Sequence, residues 1–146
     1  MATKHISAQQ LGLHTGLAKG DEEALFKWLL ASFLFGKPIQ QQIAEQAYRV
    51  IVEKYQRDTP RKLANCTQAE LVRMLGEAHY VRYDNSTAER LIKLGKQLIE
   101  DYGGKVRNIH EQSADRADLE QRLQAFKGVG PKTVQIFMRE AGPGLY

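Results

Sequence analysis

The sequence predicts an all-α protein, a compact bundle of about six to seven helices joined by short connections. Apolar residues recur at intervals of three and four along most of the chain, which is the spacing that gives a helix one buried face. No stretch alternates apolar and polar residues for long enough to predict a strand. Residues that start or end helices bound each periodic stretch, and these boundaries define the elements described below.

The chain divides near residue 21 into two parts of different character. Residues 1–20 show no clear period and contain Gly12, Gly16 and Gly20, so we expect an irregular N-terminal arm there. Residues 21–146 are expected to form one helical domain. With 42% hydrophobic residues among 146, the chain is long enough to bury a core of its own.

Charge and cysteine content exclude several classes of protein. The formal net charge of +4 permits nucleic-acid binding without requiring it. The single cysteine, Cys66, excludes an intrachain disulfide and a four-cysteine iron–sulfur cluster, and it is typical of a reducing compartment. The most apolar run, residues 24–35, is too short to cross a bilayer and contains Lys27. We therefore expect a cytoplasmic protein with no metal or cofactor and no membrane partner.

The first two predicted helices follow one another across a tight turn. Asp21 is suited to cap a helix over residues 22–35, whose apolar residues cover nearly the whole circumference. Such a helix lies at the centre of a domain, or it meets a partner domain or subunit. Residues 36–38 end it, and a second helix is predicted over residues 39–56 with these residues facing inward: Ile43, Ala47, Val50 and Ile51.

Three further helices are predicted from their capping signals. Thr59 and Pro60 start a short helical turn that runs to residue 64. Residues 67–70 form a capping box for a helix to about residue 78, and residues 86–89 form another for a helix to about residue 102. Two glycines at 103 and 104 end that helix, and a loop containing His110 follows.

The last two predicted helices, about 116–126 and 131–142, enclose the stretch Gly128-Val129-Gly130-Pro131. We expect both glycines to adopt backbone angles or close approaches that a side chain would prevent. Pro131 suits the first position of a helix, because its fixed φ is already helical. The free amides and the positive dipole end of the new helix favour an anion, and Lys132 adds a full positive charge. The turn therefore predicts a phosphate site.

Residues 123–134 resemble the helix-hairpin-helix of the base-excision DNA glycosylases, the endonuclease III superfamily, whose hairpin reads leucine, x, Gly-Val-Gly, x, Lys-Thr-Ala. Phe126 takes the place of the leucine and Val134 that of the alanine. Residues 83–90 resemble the family's tyrosine-asparagine-serine-lysine-alanine segment. The resemblance covers roughly residues 22–140, and the hairpin is its specific part.

This resemblance implies binding to duplex DNA, damaged or abasic, in base-excision repair. Lys37 stands where many relatives place a glutamine that fills the gap left by an extruded base. The DNA-contacting residues implied by the resemblance come from the hairpin and from the turn after the apolar helix: Lys127, Gly128, Val129, Gly130, Lys132, Thr133, Lys37 and Gln41.

The resemblance also implies a catalytic role for Lys132 as the nucleophile of a bifunctional glycosylase and abasic-site lyase. Its amine would attack the sugar and form a Schiff base, from which strand cleavage follows. Relatives carry an essential aspartate somewhat under twenty residues beyond this lysine, but the only acid after Lys132 here is Glu140. We therefore expect either a glycosylase truncated before its catalytic aspartate or a non-catalytic DNA-binding module.

Overall fold

The computed structural model describes residues 6–146, and over these residues the regular structure is entirely helical. The all-α prediction is thus confirmed for the described part of the chain. The helices are α1 (His14–Ala18), α2 (Glu22–Phe35), α3 (Gln41–Tyr48), which continues as a π-helical segment (Arg49–Lys54), α4 (Pro60–Ala64), α5 (Gln68–Glu77), α6 (Asp84–Tyr102), α7 (Val106–Gln112), α8 (Arg116–Gln124) and α9 (Pro131–Leu145). None of the helices in residues 6–146 is long and apolar enough to span a membrane.

Helix α2 is the centre of the bundle. From Ala24 to Phe35 every residue except Lys27 is buried, with α1, α3 and α9 packed around it. The indole Nε1 of Trp28 donates to the carbonyl of Phe137 at 3.2 Å, which ties α2 to α9. The apolar circumference is therefore covered by the protein's own helices, and the sequence needs no partner subunit to explain it.

The N-terminal segment differs from the irregular arm expected over residues 1–20. Residues 1–5 lie outside the described part, but residues 6–20 contain α1 and contribute five buried residues to the core: Ile6, Ala8, Leu11, Leu13 and Leu17. The Glu140 carboxylate accepts a hydrogen bond from the Ala8 amide at 2.6 Å. At Gly144 an added Cβ would collide with the Leu17 carbonyl oxygen. Gly144 thus permits close packing of this segment on α9.

Local capping signals predicted some helix starts and failed at others. The capping box at the start of α5 is present: the Glu70 amide donates to Thr67 Oγ1 at 3.1 Å, and the Thr67 amide donates to Glu70 Oε1 at 3.0 Å. Helix α2 has the predicted bounds, but the Asp21 side chain does not cap it. Helix α6 begins at Asp84, after Tyr83 in a left-handed conformation with φ 64°, so the capping box predicted at residues 86–89 was wrong.

Other boundaries depend on tertiary contacts. The loop predicted around His110 is helix α7, whose first amides, those of Val106 and Arg107, donate to the Glu22 carboxylate at 2.7 and 2.9 Å. The second helix was predicted as one α-helix over residues 39–56, but α3 starts at Gln41 and widens to a π-helix. Helix α9 continues through Pro143 to Leu145 instead of ending near residue 142. Packing of α9 on the N-terminal segment outweighs the local helix-breaking residues.

Candidate functional site

The connection between α8 and α9 is a tight turn over residues 125–130, anchored by the buried side chains of Phe126 and Val129. Gly128 has φ +87°, which only glycine adopts without strain. A Cβ at this position would lie 2.7 Å from Cδ of Arg90 and 3.0 Å from the Phe33 ring. Both the backbone angle and the close contacts therefore require glycine at 128.

Gly130 is under no such constraint, which corrects the expectation for this residue. Its φ of −107° and ψ of −174° are those of extended backbone, which any residue can adopt. A Cβ added there would meet no atom within 4 Å. The space in front of Gly130 is therefore open to solvent.

Helix α9 begins directly beside this open space. Pro131 is its first residue, and Gly130, in the capping position, has no side chain with which to satisfy the first amides. The first amides of a helix have no partner within the helix and carry the positive end of its dipole. Lys132 is exposed in the same turn. The arrangement can bind an anion.

Lys37 is held against the turn from the other side. Its Nζ donates to the Gly128 carbonyl at 2.8 Å and lies 4.2 Å from the centre of the Phe33 ring. Burial, and then the charge of Arg90, lowers the pKa of Lys37. The structure thus brings Lys37 to the α8–α9 turn, where its hydrogen bond joins the turn to the end of α2.

Two of the sequence-predicted residues point inward. Val129 is 5% exposed and Thr133 is 3% exposed. A Cβ added to Gly36 would collide with Thr133 Oγ1, so the end of α2 and the start of α9 are in close contact here. Only the backbone of Val129 and Thr133 can contribute to a surface site, whereas Lys127 and Lys132 are exposed.

A surface groove of about 900 Å³ lies beside Lys132. Gln41 also lines it, and the Gln41 side-chain amide donates to the Phe35 carbonyl at 3.3 Å. Gln41 and Lys132, both singled out from the sequence, therefore share one groove. The groove is formed by α8, α9, the last residue of α2 and the first residue of α3. Its lining residues are Phe35, Gln41, Arg116, Glu120, Gln124, Pro131, Lys132, Val134, Gln135, Ile136, Met138 and Arg139.

The carboxylates near Lys132 are already engaged. Glu120 is the acid that lines the groove, and it pairs with Arg116 at 3.3 Å. Glu140, the only acid after Lys132 in the sequence, accepts from the Ala8 amide and does not line the groove. No group of three His, Cys, Asp or Glu side chains in residues 6–146 is placed to hold a metal ion.

Sequence reasoning missed Arg90 and Glu120. Arg90 ends the stretch 83–90 that was singled out from the sequence, but nothing in that stretch assigned it to the α8–α9 turn, which it reaches from the first half of α6. Glu120 faces the groove only through the crossing of α8 with α9. Comparison of the chain with protein-family models, with curated proteins and with solved structures found no match. Its function must therefore be inferred from the residues of the site.

Proposed function

We propose that this protein binds duplex DNA through the sugar–phosphate backbone at the α8–α9 turn, in the manner of the helix-hairpin-helix that the sequence resembles. One observation carries the proposal: open space in front of Gly130 adjoins an uncapped helix start with exposed Lys132. Backbone amides and a helix dipole at such a position bind phosphate oxygens. Contacts of this kind position a protein on DNA without reading its sequence. The binding is therefore expected to be strongly dependent on salt and indifferent to base sequence.

The test is a pair of substitutions at Gly130. Since the position is open and its backbone extended, both Gly130→Ala and Gly130→Asp fit without strain. An aspartate in the capping position accepts hydrogen bonds from the early amides of α9, so it occupies the site with its own carboxylate and repels phosphate. We expect Gly130→Asp to bind a 20-base-pair duplex roughly tenfold more weakly or worse, a loss of about 1.4 kcal/mol.

Gly130→Ala is the matched control and should retain most of the affinity. Fluorescence anisotropy at several salt concentrations measures both variants. If Gly130→Asp bound duplex DNA as tightly as Gly130→Ala, the turn would not be the phosphate site.

We further infer that the reaction class is that of a DNA glycosylase and abasic-site lyase, with Lys132 as nucleophile. The uncharged amine adds to the sugar aldehyde of an abasic site, and loss of water gives a Schiff base. A base then removes the C2′ proton, and the electron pair of that C–H bond expels the 3′-phosphate, which breaks the strand. Lys132 supports this inference because it is exposed in a groove at the DNA-facing turn.

Borohydride reduction during incubation with an abasic duplex tests the covalent step. Wild type and Lys105→Gln, in which an exposed lysine of the α6–α7 connection is changed, are expected to become linked to DNA. Lys132→Gln should give no linked product while retaining duplex binding within a few-fold. Equal trapping of Lys132→Gln would assign the reaction to another amine.

A specific observation favours a second candidate, a non-catalytic DNA-binding module. The acid of the groove, Glu120, pairs with Arg116, so proton removal by this carboxylate would require that pair to open. A non-catalytic module predicts equal affinity for intact and abasic duplexes and no trapped product, with the Gly130→Asp effect preserved.

A further inference from the structure

Positively charged side chains from three parts of the chain meet around Gly128. We call Lys37, Arg90, Lys93 and Lys127 the turn-flank cluster. Lys37 donates to the Gly128 carbonyl at 2.8 Å, and a Cβ on Gly128 would lie 2.7 Å from Cδ of Arg90. Lys127 is the residue before Gly128. Because Gly128 has no side chain, the aliphatic part of the Arg90 side chain can lie directly against the turn.

Lys93 and Lys127 extend the cluster along α6. Lys93 pairs with Glu89 at 2.9 Å. Lys93 first, and then Lys127, lowers the pKa of Glu89, so both ammonium groups act on the same carboxylate. In the described part of the chain, the four cations of the cluster have one ion-paired carboxylate among them, that of Glu89.

Positive charges within the turn-flank cluster repel one another, which raises the free energy of the folded protein. Within residues 6–146, Lys37, Arg90 and Lys127 form no ion pair with a carboxylate. Arg90 acts on Lys37 as one positive charge on another. An anion placed between these groups relieves the repulsion. Because Lys127 and Lys93 are exposed, such an anion can reach the cluster from solvent.

We propose that the turn-flank cluster binds a second phosphate of the same DNA strand, next to the phosphate held by the start of α9. Gly128 and Gly130 are two residues apart, so the two parts of the turn are separated by at most about 7 Å along the backbone. The two parts of the turn are thus close enough to bind neighbouring phosphates of one DNA strand. This inference rests on the proposed DNA-binding function and adds the path of the strand, which runs from α9 across the turn to α6.

The dependence of affinity on salt measures the number of phosphate contacts. Each neutralised phosphate contributes about 0.9 to the slope of log Kd against log salt concentration. We expect the double variant Arg90→Gln/Lys127→Gln to lower that slope by about 0.9 and to weaken binding roughly fivefold at 0.15 M salt. The control is Arg73→Gln/Lys105→Gln, which removes two exposed cations from α5 and from the α6–α7 connection and should leave the slope unchanged.

The outcomes separate this inference from the proposed function. If the double variant matched the control while Gly130→Asp still weakened binding, the second phosphate site would be wrong and the hairpin site would stand. If Gly130→Asp also bound normally, both would fail. Thermal unfolding checks that the variants fold. Should Arg90→Gln prove unstable, Lys93→Gln/Lys127→Gln tests the same site with exposed residues only.

Discussion

Gly128 and Gly130 meet different physical requirements although they are two positions apart. Gly128 is left-handed and in contact with Arg90 and Phe33, whereas Gly130 is extended and open. We expect Gly128→Ala to lower the free energy of unfolding by about 2 kcal/mol or more, since it combines backbone strain with a steric clash. Gly130→Ala should change it by no more than about 0.5 kcal/mol.

Urea unfolding of the two alanine variants side by side measures this difference. Equal stabilities would mean that the backbone at residue 128 tolerates a side chain. From the sequence the two glycines are indistinguishable, because the contrast arises from Arg90 and Phe33, which are distant in sequence.

At the level of the helices, α7 depends on a carboxylate from α2. Burial raises the pKa of Glu22 above its ordinary value of 4.5, although hydrogen bonds from the Arg107 and Val106 amides oppose the shift. The folded state therefore binds this proton more tightly than the unfolded state does. The contribution of Glu22 to stability is then greatest below pH 4.5 and falls as the pH rises through the folded pKa.

We expect Glu22→Gln to remove this part of the pH dependence, since glutamine does not titrate but still offers one acceptor oxygen to the amides. Stability measured by urea unfolding just below and well above pH 4.5 provides the comparison. Glu23→Gln, on the exposed side of the same helical turn, is the control. A pH profile identical in wild type and Glu22→Gln would contradict the assignment.

Two helices were predictable from local signals alone. The Thr67–Glu70 capping box and the bounds of α2 follow from adjacent residues, and both are present. Helix α7 was missed because its N-terminal amides are satisfied by Glu22, which lies 84 residues earlier than Val106. The continuation of α9 past Gly142 was missed for the same reason, since the packing that stabilises it comes from the N-terminal segment.

Across the whole molecule, α9 joins the candidate site to the N-terminal segment. Its first turn forms the hairpin, and its Glu140 side chain accepts from the Ala8 amide. We expect Glu140→Ala to speed amide hydrogen exchange in residues 6–13 at least severalfold, because this hydrogen bond to a charged group is worth about 1.5–3 kcal/mol. Duplex binding should be unaffected, since Glu140 does not line the groove.

Hydrogen exchange followed by mass spectrometry resolves the effect by segment. Glu111→Ala, an exposed acid on α7, serves as the control. Unchanged protection of residues 6–13 in Glu140→Ala would show that apolar packing alone holds the segment.

The candidate site was predictable only in part. Its turn is encoded by consecutive residues, so the sequence identifies Gly128, Pro131 and Lys132 together. Arg90 and Glu120 come to the site through the packing of α6 and α8, and no local pattern predicts that either of them lies there. The inward orientation of Thr133 likewise depends on its contact with Gly36, nearly a hundred positions earlier.

The tether between Lys37 and Gly128 has a consequence for the order of folding. The two residues are 91 positions apart, and Trp28 and Phe137, which also join α2 to α9, are 109 apart. The entropy of closing such long loops is lost before the contacts they bring together provide any stabilisation. We therefore expect the α8–α9 turn to reach its final geometry late, after α2 has met α9, and a locally capped helix such as α5 to form earlier. During synthesis, a chain whose α9 is still inside the ribosome therefore carries no assembled α8–α9 turn.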